Sequence, residues 1–85
     1  MHICYNTQGT CSRRIEFDID NDGRLRNVRF EGGCNGNLKG IGALVEGQPA
    51  RDVAERLQGI QCGTKNTSCP DQLANAIKEG LRQQA

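Results

Sequence analysis

Ile15-Glu16-Phe17-Asp18-Ile19-Asp20-Asn21-Asp22-Gly23-Arg24-Leu25-Arg26-Asn27-Val28-Arg29-Phe30 is the stretch whose reading decides the fold. Ile15, Phe17 and Ile19 alternate with Glu16, Asp18 and Asp20, the period of a strand with one buried face. Asp22-Gly23 is a hairpin signal, because both central residues of a type I′ turn take positive φ. A two-residue turn there pairs Asn21 with Arg24, and so Phe17 with Val28, Ile15 with Phe30 and Glu16 with Arg29. The apolar pairs then share one face, and an opposite-charge pair lies on the other. A shift of one residue destroys both. The same residues contain Asp18-x-Asp20-x-Asp22-Gly23, the first half of a calcium loop. Its twelfth position is Arg29, where a bidentate Glu is required, and no helix precedes it. The hairpin accounts for these residues and calcium does not.

Working outward, residues 2–7 alternate as a short edge strand, broken by Gln8-Gly9-Thr10, with Cys11-Ser12 as a turn into the hairpin. On the other side, Glu31-Gly32-Gly33-Cys34-Asn35-Gly36-Asn37 ends the returning strand and opens a helix. Leu38, Ile41, Leu44 and Val45 form a helical stripe closed by Gly47. Pro49 starts a second helix carrying Val53, Ala54 and Leu57, and Gly59 ends it. A polar loop over 58–68 contains Cys62. The last helix runs from Pro70, with Leu73, Ala74, Ile77 and Leu81 on one stripe. The expected architecture is therefore α+β, one domain over residues 1–85. A three-stranded antiparallel sheet is covered by three helices.

Eighty-five residues with no Trp, and with only Tyr5, Phe17 and Phe30 as aromatics, build a thin core that a metal or another cross-link would help. The net charge of +1 gives no field to attract nucleic acid or an anionic membrane. No apolar run approaches a membrane span and residues 1–10 lack a signal-peptide pattern, so the expected location is the cytoplasm. In that reducing compartment, Cys4, Cys11, Cys34, Cys62 and Cys69 point to metal binding or redox work rather than to structural disulfides. Their spacing is not that of a zinc ribbon, which carries paired C-x-x-C knuckles.

Two places carry candidate chemistry. At Gly33, Gly36, Asn37 and Lys39, exposed N–H groups at a helix start could hold an anion or nucleotide phosphate. Lys39 does not complete a P-loop, and the alternative reading is that the glycines expose the sulfur of Cys34. At Thr67-Ser68-Cys69-Pro70-Asp71, the proline suits the first helical position and leaves Cys69 as the N-cap. Ser68 with Asp71 also fits a capping box, which moves Cys69 one position inward. Either arrangement sets a sulfur at the positive end of a helix, where thiolate is favoured.

Thr67-Ser68-Cys69-Pro70-Asp71, with Gly9-Thr10-Cys11-Ser12 and Gly32-Gly33-Cys34-Asn35-Gly36-Asn37-Leu38, resembles the TSCPD-domain family over essentially the whole chain. A related domain sits near the C-terminus of adenosylcobalamin-dependent ribonucleotide reductases, so the resemblance implies an association with that enzyme. It does not imply the complete activity, which needs a barrel of several hundred residues. The order of elements is also similar to the U-type scaffold proteins of iron–sulfur cluster assembly. That likeness sets Cys11 at the first scaffold cysteine, Gly33-Cys34 at the second and Cys69 at the third. Arg13 and Ser68 stand where the scaffolds carry Asp and His, and Cys62 has no counterpart. The hairpin register brings Cys11 and Cys34 near one end of the sheet. The expected site is thus Cys11, Cys34, Cys62 and Cys69, holding Zn²⁺ or an iron–sulfur cluster, with His2 and Cys4 read as structural and Cys4 the alternative to Cys62 as the last ligand. The partners implied are ribonucleotide reductase or an iron–sulfur or metal-handling protein. The rival readings are a thiol redox pair, Cys62 with Cys69, and a non-catalytic nucleotide-binding or protein-interaction domain.

Overall fold

The computed structural model describes every residue except Cys11, Cys34 and Ala85. Strands β1 (His2–Asn6), β2 (Ser12–Ile19) and β3 (Leu25–Gly32) precede helices α1 (Asn35–Val45), α2 (Ala50–Leu57) and α3 (Cys69–Gln84). The strands form one antiparallel sheet in the order β1-β2-β3, the expected α+β arrangement. Helix α3 lies over β1 and β2, α1 packs against β3, and α2 packs on α3. Among the described residues, no helix is long and apolar enough to cross a membrane.

Strand alternation separates the two sheet faces. Ile3, Ile15, Phe17, Ile19 and Leu25 are buried with Val53 and Ala54 of α2 and with Leu73, Ala74 and Ile77 of α3. The opposite face carries ion pairs: Arg14 to Glu31 at 2.7 Å and to Glu16 at 3.2 Å, and Arg29 to Glu16 at 3.6 Å. Exposed pairs of this kind contribute about 0–1 kcal/mol each. They keep this face solvated and fix the strand pairing more than they stabilise it.

The hairpin differs from expectation in its turn. Gly23 N–H donates to Asp20 O at 3.0 Å, and Asp20 N–H donates to Arg24 O at 3.0 Å. The loop is therefore Asn21-Asp22-Gly23, with Gly23 alone in the left-handed region at φ 78°. The cause is the Asp20 side chain: its Oδ1 accepts the N–H of Asp22 at 2.9 Å and of Arg24 at 3.0 Å, which stabilises a longer loop. The strands leave this loop one residue off the expected pairing, Ile19 facing Leu25 and Asp18 facing Arg26. Asn27, at φ 57°, then takes up the extra residue as a bulge. Its N–H donates to a Glu46 carboxylate oxygen at 2.8 Å. Beyond the bulge the expected register returns, with Glu16 facing Arg29 and Ile15 facing Phe30. Phe17 is fully buried as expected, but β3 sets Asn27 and Val28 opposite it rather than Val28 alone. A second irregularity at Arg13 sets Ser12 opposite Gly32.

Asp20 links this turn to pH. The Arg24 backbone N–H, then the Arg26 guanidinium and the Asp22 N–H, hold its carboxyl below the ordinary 3.8. A carboxyl lowered on folding contributes stability that is fully present above its unfolded value and is lost as pH falls through the folded value. Asp20→Asn is accordingly expected to lower stability slightly at neutral pH and to flatten the acid limb below about pH 4, so that the variant and wild-type curves converge in acid. An acid limb as steep as the wild type's would exclude Asp20 as a contributor.

The α1 stripe also needs one correction. Leu38 and Val45 are buried and Ile41 packs against the core, but Leu44 is 78 % exposed. At 100° per residue, Leu44 lies well off the line of Leu38, Ile41 and Val45. It stands instead on the rim of an open groove floored by Val45, Val53 and Leu57.

Candidate functional site: the start of the last helix

Helix α3 begins where Ser68 caps it. Ser68 Oγ accepts the N–H of Asp71 at 3.1 Å and donates to Ile60 O at 2.6 Å. Ser68 is therefore the N-cap and Cys69 the first helical residue, the capping-box alternative rather than the Cys69 cap that Pro70 suggested. The physical reason is chemical: a hydroxyl oxygen accepts a backbone N–H far better than a thiol does. Asp71 does not return the bond to Ser68. Its carboxylate accepts the N–H of Gly59 at 2.6 Å and the Thr67 hydroxyl, so it ties the end of α2 to the start of α3. Ser68→Ala is expected to lower stability by about 1–2 kcal/mol, because the cap is lost and Ile60 O loses its partner. Chemical denaturation measures this, and a loss below about 0.5 kcal/mol would mean water replaces the hydroxyl at both contacts.

The loop before β2 docks on this helix start. Gln72, itself buried, accepts the N–H of Gln8 at 3.1 Å through Oε1 and donates through Nε2 to Thr67 Oγ1 at 3.0 Å. Gly9 sits so close that a Cβ there would lie 3.1 Å from Thr67 Cγ2, and its φ of +75° already favours glycine. Ser12 is buried, and its Oγ lies 3.2 Å from Cys69 Sγ and 3.1 Å from Thr10 Oγ1. The start of α3 thus clasps Gln8, Gly9 and Ser12 at the entry to β2. None of Thr67, Gln72, Ser12 or Gly9 was a site candidate from sequence, since each acts through a contact distant along the chain. The adjacent glycine and hydroxyls of Gly9-Thr10-Cys11-Ser12 were the only available signal.

The expected ligands fall as follows. Cys69 is half-buried beside Ser12. Cys62 is exposed in the loop, where its N–H donates to Thr67 O at 3.2 Å. Cys11 and Cys34 lie outside the described residues. Cys4 is exposed on the polar sheet face opposite Glu16. Among the described residues, no three His, Cys, Asp or Glu side chains are gathered to hold a metal. Cys4, Cys62 and Cys69 therefore make no site on their own. Of the candidate anion residues, Gly33 has φ 80°, and Gly36, Asn37 and Lys39 are exposed in the first turns of α1.

The fold and this clasp are those of a small domain built around the Thr67–Asp71 pentapeptide. The TSCPD domain family model matches residues 3–81, and the chain belongs to that family. No curated protein and no solved structure matches the chain.

Proposed function

We propose that this protein is a non-catalytic thiolate metal module, binding Zn²⁺ or an iron–sulfur cluster through Cys11, Cys34 and Cys69, with Cys62 as the fourth donor. The observation that carries the reading is the 3.2 Å contact between Ser12 Oγ and Cys69 Sγ. Ser12 is the chain neighbour of Cys11, and it pairs across the sheet with Gly32, two residues before Cys34. The contact thus supports the reading through the described residues Ser12, Gly32 and Cys69 alone. The donor set is chemically apt, since thiolates suit tetrahedral zinc and iron–sulfur clusters alike. A bound metal would supply a cross-link between sheet and helix that a core this small would gain from. The resemblance to the U-type scaffolds supports the same three positions. The related domain in adenosylcobalamin-dependent reductases supports a role accessory to ribonucleotide reduction, or to metal or cluster handling.

The test is an ultraviolet–visible spectrum with elemental analysis after anaerobic purification without added metal. A brown protein with iron and sulfide assigns a cluster, and near-stoichiometric zinc assigns a thiolate zinc site. Metal-free protein that also refuses zinc removes the reading. The thiol redox alternative would then stand on the bond from Cys62 to Thr67, which holds Cys62 near the start of α3. Fast alkylation confined to Cys69 would support it.

A further inference from the structure

The two edges of the sheet are treated differently. Along the first half of β3 the outer edge is closed: Leu25 N–H donates to Gln48 O at 2.9 Å, Gly47 N–H donates to Leu25 O at 2.8 Å, and Glu46 takes the N–H of Asn27. Helix α1 continues the cover, with Gly42 so close that a Cβ would lie 3.0 Å from Val28 O. Among the described residues, nothing of the kind occurs along β1. Met1 and Ile19 exchange backbone bonds, and Thr7 N–H donates to Arg13 O, so the odd-numbered residues of β1 point their backbone groups at β2. In an antiparallel ladder these alternate, so the N–H and C=O groups of His2, Cys4 and Asn6 point outward. Among the described residues nothing pairs with them. The strand has no Pro, no Lys, no inward charge and no bulge, the devices that normally protect an edge.

We propose that the β1 edge is a self-association surface, where β1 of a second copy pairs antiparallel about a two-fold axis at Cys4 to form one continuous six-stranded sheet. The side chains specify this register. With Cys4 on the axis, His2 faces Asn6 of the second copy and every outward N–H and C=O finds a partner. On the core side Ile3 then faces Tyr5 of the second copy, twice, the aromatic with β-branched pairing that stabilises cross-strand contacts. On the polar side the residue that must face itself is the uncharged Cys4, so no like charges meet on the axis. A five-residue strand is far smaller than the roughly 20–30 residues per side of a standard interface. The dimer is accordingly weak, with dissociation on the order of 100 μM, and depends on concentration.

Sedimentation equilibrium of the full chain from about 10 μM to about 1 mM tests this, in a Cys62→Ser background with reductant. A monomer–dimer equilibrium is expected, and Cys4→Lys should weaken it at least tenfold by setting two ammonium groups on the axis while leaving the melting temperature unchanged. Mild oxidation with diamide, which takes up the two electrons and two protons, should join Cys4 to Cys4. Hydrogen-bonded strand pairs set their Cα atoms about 5.5 Å apart, within disulfide reach. A chain monomeric throughout overturns the proposal. So does a dimer indifferent to Cys4→Lys, or one abolished instead by Leu44→Glu at the α1–α2 groove. Metal content is read separately on the wild-type chain, and its presence or absence bears only on the thiolate site.

Discussion

Replacing Phe17 by Ala is expected to destabilise the domain by about 3–5 kcal/mol. Phe17 is the largest of the fully buried side chains, on the middle strand of a three-stranded sheet. Only Tyr5 and Phe30 offer comparable bulk, and both are half-buried at the margin of the core. Truncation removes the transfer free energy of the ring and leaves a cavity that the surroundings fill only in part. Collapse is opposed from both sides, since the Asn27 bulge fixes β3 opposite Phe17 and α3 is clasped at its start. Natural domains have roughly 0.05–0.15 kcal/mol of stability per residue, so 85 residues leave little in hand. The variant should populate the unfolded state measurably at 25 °C, with a lower denaturation midpoint and an unchanged denaturant slope. A loss under about 1.5 kcal/mol would mean that the site repacks and that Phe17 does not anchor the sheet.

The sheet was legible because strand period and charge pairing agree over Ile15–Phe30. The pairs Ile15 with Phe30 and Glu16 with Arg29 follow from that agreement alone. The turn was not legible. Asp22-Gly23 read as a two-residue turn, but the Asp20 carboxylate draws the N–H groups of Asp22 and Arg24 into a longer one, a local competitor that the Asp-Gly signal outweighed in the sequence. The bulge at Asn27 hides the error, because it restores the expected register a few residues later. Leu44 failed for a related reason: a stripe counted by spacing admits residues at its margin, and only packing against β3 decides which face is buried. At the site, the helix start was readable from Pro70 and Asp71, while the choice of Ser68 over Cys69 as cap rested on the relative strength of two acceptors. The clasp through Gln72, Thr67 and Gly9 depends on docking distant segments, which one sequence cannot report.

The second large effect follows from the proposed thiolate site. Cys69→Ser is expected to release the metal and to cost several kcal/mol of the holo-protein's stability, because metal bound only by the folded chain adds its binding free energy to folding. Cys11→Ser and Cys34→Ser should do the same, and the similarity of the three losses is what marks a shared site. Cys4→Ser should leave metal content unchanged, since Cys4 is exposed on the polar sheet face. Cys62→Ser separates two forms of the site: metal loss makes Cys62 the fourth ligand, and retention leaves that position to water or a partner thiol. A purely structural role must be told apart from ligation, because Cys69 also touches Ser12. The comparison is made on chelator-treated protein, where Cys69→Ser should cost only about 0.5–1.5 kcal/mol, the net worth of one ordinary hydrogen bond. A large loss in holo-protein beside a small one in apo-protein is the signature of a ligand. Equal losses in the two states would make Cys69 a packing residue, and the thiolate module would fall with it.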